Sequence, residues 1–147
     1  MLDYLINPVL MGGLVKETDG ETVKIHLHGR LGVITVPRFL VLDPIAPETG
    51  HELKFYFSYL QINEQPYDYD AAALQKGREV EPVLIGAELT EVNDTAVKAK
   101  IQDGLGTVAV PRRWVFTDVP LAVGQTAEFY LSPMKVVGKR ELPAKSI

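Results

Sequence analysis

The chain has 147 residues, 46% hydrophobic and 23% charged, a balance that argues against disorder and fits one domain or two small ones. Its net charge of −4 leaves no broad basic field of the kind a duplex-DNA binder needs, although a local basic groove is compatible with it. With no cysteine, disulfides, thiolate catalysis and cysteine-based zinc sites are excluded together.

No run of about 18 apolar residues exists to cross a bilayer, and the opening segment MLDYLINPVLMGGLV lacks the basic n-region of a secretory signal. A cytoplasmic protein with no membrane partner is expected. In chain order, Val9, Met11, Gly13 and Val15 alternate with Leu10, Gly12, Leu14 and Lys16, and the run ends at the hairpin signal Thr18-Asp19-Gly20. A return strand sets Val23, Ile25 and Leu27 against Lys24, His26 and His28, the period of two expected when one face is buried. A third strand, Leu31 to Val36, is apolar on both faces and stops at Pro37, which has no N–H for a ladder. After a loop carrying Pro44, Pro47 and Gly50, a last strand places Leu53, Phe55 and Phe57 opposite Lys54, Tyr56 and Ser58. The connector then offers one helical candidate, in which Asp70 caps Ala71 to Lys76 and Gly77 closes it.

The remaining strands repeat the first set. Pro8 to Tyr59 aligns without a gap onto Pro82 to Pro133, an offset of 74, with 17 identities in 52 positions, among them Gly12, Gly32, Pro37, Arg38, Gly50, Phe55, Tyr56 and Ser58. The expected fold is therefore all-β, a tandem duplication of a small β-barrel unit with two homologous repeats packed together. Residues 1–62 would form the first repeat, 63–80 a connector with a short helix, and 81–147 the second repeat with a basic tail carrying Lys135, Lys139, Arg140 and Lys145. Two arrangements satisfy this pattern. Each copy has enough strands to close its own barrel, the favoured arrangement, or the halves interleave into one pseudo-twofold barrel, as a gene-fused homodimer would. Domains of about 60 residues are thinly stabilised alone, so mutual packing helps either way.

Catalytic signatures are missing: there is no G-x-x-x-x-G-K-[ST], G-x-G-x-x-G, H-E-x-x-H or G-x-S-x-G. His26 and His28 share a strand face, but their counterparts are Lys100 and Gln102 and nothing fixes a third ligand, so they read as exposed strand histidines, with His51 in a turn and no metal or cofactor expected. The connector carboxylates Glu64, Asp68 and Asp70, interleaved with Tyr67 and Tyr69, lack the spacing of an EF-hand loop and read as a polar linker. More telling are residues kept in both copies where burial does not require them. Arg38 and Arg112 follow the strand-ending prolines, Tyr56 and Tyr130 lie opposite Phe55 and Phe129, and Arg113 and Trp114 extend the second set. Guanidinium and aromatic groups on a small-barrel surface suit contacts to phosphate and stacking on bases. The structural reading of the same set places both tyrosines at the junction of the repeats and pairs each Arg with an acid such as Asp43 or Asp118.

The order of landmarks, a hairpin, then G-x-L-G-x-[IV]-x-V-P, then a loop and G-x-x-x-x-F, resembles S1-type OB barrels and SH3-like barrels. The segment Gly29 to Arg38 followed by Gly50 is also similar to the AbrB-type swapped-hairpin barrel. Those resemblances imply nucleic-acid binding through basic residues. The whole chain also looks like a group of small proteins from anaerobic Firmicutes, a likeness that implies no activity. The expectation is a non-enzymatic binding or assembly module, with a protein partner or self-association. The alternatives are single-stranded RNA or DNA binding through Arg38, Tyr56, Arg112, Arg113, Trp114 and Tyr130, and a small-molecule carrier or enzyme with a site between the repeats.

Overall fold

The computed structural model describes residues 6–140 apart from 45 and 67. Its strands are β1 (Val9–Thr18), β2 (Thr22–Leu27), β3 (Val33–Pro37), β4 (His51–Phe57), β5 (Leu60–Ile62), β6 (Val83–Val92), β7 (Ala96–Ile101), β8 (Thr107–Pro111), β9 (Val115–Phe116), β10 (Thr126–Leu131) and β11 (Lys135–Lys139). The protein is all-β. Among the described residues α-helix is confined to α1 (Ala71–Gln75), where the Asp70 side chain accepts from the Ala73 N–H at 3.3 Å.

Strand pairing runs through both halves in one closed ring, β1-β2-β3-β8-β7-β6-β10-β4 and back to β1. Among the described residues the pairings form the shared barrel and not the favoured pair of separately closed ones. The reason lies at the two seams. In one, β3 pairs antiparallel with β8 through Val33 with Ala109, Ile34 with Val108 and Thr35 with Thr107, so the third strand of each half completes its ladder on its counterpart. In the other, Leu131 of β10 meets Phe57 of β4. Ile34 with Val108 and Phe57 with Leu131 are each residues 74 apart, so an approximate twofold axis passes through both seams. The paired bulges after Val15 in β1 and after Leu89 in β6 obey the same offset. Closure leaves the ring no free edge.

The first seam depends on Gly32 and Gly106. Each has φ near +109°, and a Cβ on Gly32 would stand 1.9 Å from the Ala109 carbonyl oxygen, one on Gly106 1.8 Å from that of Thr35. Only glycine tolerates both the left-handed backbone and the contact.

Inside the ring, the strand alternation holds as the sequence predicts. Val23, Ile25, Leu27, Leu53, Phe55 and Phe57 from the first half meet Val97, Ala99, Ile101, Ala127, Phe129 and Leu131 from the second, all buried. Phe57 and Phe129 touch edge to face across the seam, with centroids 5.7 Å apart. A ring of this size has an interior just wide enough for its side chains to fill, and each large apolar group contributes up to about 1.5–3 kcal/mol by leaving water. Outside the ring, β5 lies on β10 and carries β9 in parallel, while β11 lies on β4. The basic stretch expected as a solvated tail thus begins as a paired strand: Lys139 bonds Glu48 at 2.6 Å and Arg140 bonds Glu52 at 3.2 Å. Glu141 and Lys145 lie outside the described residues.

Candidate functional site

The outer wall of the barrel carries the polar groups, and the two halves treat it differently. In the second half the connector crosses that wall. The Tyr69 ring lies on Gly86, with ring carbons 2.7 Å from where a Cβ would stand, so only glycine admits it. The Gly86 N–H donates to Gln102 Oε1 at 2.7 Å, and Gln102 Nε2 donates to the Tyr69 carbonyl at 3.5 Å. The Tyr69 hydroxyl donates to Glu128 Oε1 at 2.6 Å. Glu128 also accepts from Asn63 Nδ2 at 2.9 Å and, through Oε2, from Gln61 Nε2 at 2.8 Å. The residue is 5% exposed, and among the described residues its carboxylate is held by three neutral donors rather than by an ion pair. Gln61 Oε1 is buried beside it with no hydrogen-bond partner among the described residues. A cleft of about 480 Å3 opens alongside, lined by Tyr69, Gly86, Lys100, Gln102, Asp103 and Thr126 among others. It lies between connector and second half rather than between the repeats.

The equivalent wall in the first half has the same backbone and different chemistry. Gly12 stands where Gly86 does, and the His28 ring, Nδ1 2.7 Å from the position of a Cβ, overlies it. Lys54 replaces Glu128 and Lys135 replaces Gln61, and the two lysines face each other across β4 and β11. Both are exposed. Next to them Leu10, 51% exposed, pairs with the half-buried Tyr56.

The residues singled out from the sequence separate into two groups. Tyr56 and Tyr130 flank the second seam: the Tyr56 N–H donates to Ser132 Oγ and the Tyr130 N–H to Ser58 Oγ, both at 2.8 Å. Each serine then donates onward, Ser58 to the Tyr59 carbonyl at 2.9 Å and Ser132 to that of Pro133 at 2.8 Å. Arg38 and Arg112 sit on 3-10 turns, Arg38–Leu40 and Arg112–Trp114. Arg112 Nη1 donates to the Asn93 carbonyl at 2.8 Å, bracing the β6–β7 hairpin. Arg113 is exposed, whereas Trp114 is tied in: its Nε1–H donates to the Ser58 carbonyl at 2.9 Å, and its ring stacks on Tyr59 at 3.7 Å, which stacks in turn on Phe116 at 4.5 Å. Among the described residues no hydrogen bond or ring contact joins the arginines to Tyr56 or Tyr130.

His26 and His28 are both exposed on β2 and the loop after it. Partial desolvation, aided by the charges of Lys16 and Lys24, holds His26 below the usual imidazole range. Among the described residues no three metal-ligating side chains gather. Tyr67 of the connector lies outside the described residues. Sequence reasoning missed Glu128, Tyr69 and the serine pair. Ser58 and Ser132 had a signal, since they are identical in the repeat; Glu128 had none, because alternation places it outward and only the connector buries it.

No family model matches the chain, and no curated protein matches it. Among solved structures it is similar to the cytoplasmic molybdate-binding protein ModG in its molybdate-bound form, at 18% identity over 86% of this chain and 92% of that one, with a TM-score of 0.26.

Proposed function

We propose that the protein is a non-enzymatic binding module that holds its partner on the outer wall of the barrel. The observation carrying this reading is the filled interior: Ile25, Ile34, Phe55, Phe57, Ile85 and Phe129 are fully buried, so recognition falls to the outside. There the polar groups are committed to structure rather than assembled as nucleophile and base. The hydroxyls of Ser58 and Ser132 bind main chain, and among the described residues Glu128 accepts from neutral donors. Matched registers at an offset of 74 support an origin by tandem duplication, which gives two related walls free to diverge. A cytoplasmic setting suits a chain without cysteine.

The test is fluorescence anisotropy with labelled mixed-sequence single-stranded RNA and DNA and with labelled acidic and basic peptides, at about 50 and 200 mM salt. Micromolar binding of one of these probes, weakened by substitutions on the outer wall, is the expected result. Salt-sensitive nucleic-acid binding lost on Arg112→Ala with Arg113→Ala would make the partner a single strand. If no probe binds at the lower salt, the module reading fails, and the cleft beside Tyr69 becomes the place to look for a small ligand.

A further inference from the structure

We infer that the outer wall of the first half, around Gly12, Lys54 and Lys135, is a docking site for an extended acidic peptide. The inference rests on the outer-wall reading and names its occupant. In the second half the same wall is covered by a polypeptide, the connector, whose Tyr69 lies on Gly86 and donates to Glu128. In the first half the His28 ring takes the place over Gly12, no described segment crosses Lys54 and Lys135, and the polarity is reversed. Where Glu128 and Gln61 form a hydrogen-bonded cross-strand pair, Lys54 and Lys135 stand directly opposite each other. Like charges in register repel, and neither ammonium has a carboxylate within ion-pair distance among the described residues. The neighbouring Glu52 is engaged by Arg140.

The chemistry follows from the exchange. A carboxylate wall takes a donor, as Glu128 takes the tyrosine hydroxyl; a wall of two ammonium groups takes an acceptor. A carboxylate set between Lys54 and Lys135 would accept from both and relieve their repulsion. Two residues along the same face, exposed Leu10 and half-buried Tyr56 offer an apolar contact for a neighbouring side chain. His28, exposed above Gly12, adds a donor at the edge. A peptide fits better than a nucleic acid because the equivalent wall already holds a polypeptide.

The experiment uses the full chain and a labelled peptide of alternating Glu and Tyr, with a Lys-for-Glu peptide and a mixed-sequence single-stranded DNA as comparisons, read by anisotropy. The expected result is binding of the acidic peptide alone, weakening from about 50 to 200 mM salt, and reduced at least roughly tenfold by Lys54→Ala with Lys135→Ala. Lys98→Ala, an exposed lysine on the other half, leaves it unchanged. Both targeted lysines are exposed, and an unaltered thermal melt shows that the variant folds. Acidic-peptide binding that survives the double substitution overturns this site while the outer-wall module stands. Tighter binding of the DNA overturns the peptide as occupant, and binding of no probe overturns site and module together.

Discussion

β4 and β10 hold equivalent places in the ring, yet the outward Lys54 of one is exposed and the outward Glu128 of the other is buried. Their inward neighbours are apolar and buried in both, Phe55 and Phe129 identical and Leu53 matched by the smaller Ala127. The two halves thus share an apolar interior while this outward position has changed in both charge and exposure. Burial keeps each of these inward positions apolar while its size varies, Ile25 against Ala99 and Leu53 against Ala127. An outward position answers only to whatever covers it, and the connector covers one wall among the described residues.

That comparison is open to experiment, beginning with the places where the halves should behave alike. Gly32→Ala and Gly106→Ala each force a Cβ into the carbonyl of the opposing strand at positive φ, and each should cost more than about 4 kcal/mol in urea unfolding. A large difference between the two would break the equivalence of the seam. Next comes a reciprocal exchange where the halves should differ. Glu128→Lys places a positive charge against three donors in a buried site and should lose about 3–5 kcal/mol. Lys54→Glu removes a like-charge pair at the surface and should change stability by less than about 0.5 kcal/mol, towards stabilisation. Equal losses from the two would mean that the connector does not distinguish the walls. A smaller, symmetric effect is expected at the second seam. Ser58→Ala orphans the Tyr130 N–H and Ser132→Ala the Tyr56 N–H, at about 1–3 kcal/mol each.

The smallest contrast lies in the hairpin turns. Asp19 Oδ1 accepts from the N–H groups of Glu21 and Thr22 at 2.9 and 2.8 Å, and Asn93 Oδ1 accepts from those of Thr95 and Ala96, both at 2.9 Å. The geometry is shared, but only Asp19 can be protonated. Its main-chain bonds, led by the Thr22 N–H, hold its carboxyl below the usual range. A depressed folded-state value means that this contribution is present above the ordinary carboxylate pKa and is lost as pH falls through the folded one. Amide exchange at Thr22 should therefore quicken, relative to that at Ala96, as pH falls below about 4. Asp19→Asn, which copies the second half, should remove the difference.

Period-two alternation, the turn signals and the gapless repeat made the strands and their buried faces legible, because each depends on residues close in the chain. Val23, Ile25 and Leu27 could be assigned inward from spacing alone. The candidate sites were less legible. Trp114 and Tyr130 stood out by type, yet one stacks on Tyr59 and the other borders the seam, contacts made across 55 and 72 residues of chain, from Tyr59 to Trp114 and from Ser58 to Tyr130. Alternation put Glu128 on a solvent face, and nothing near it in sequence announces Tyr69, Gln61 and Asn63 closing over it.

By itself the sequence determined an all-β chain with two matched sets of strands and the inward face of each, since hydrophobic periodicity is a local property. Whether those sets would close separately or together was decided only in three dimensions, where β3 and β8 find in each other the partners that their own halves do not provide. The division of the outer surface into a covered wall and an open one was decided there too. It depends on where one connector lies against a barrel that is otherwise twofold, and spacing along the chain carries no record of that.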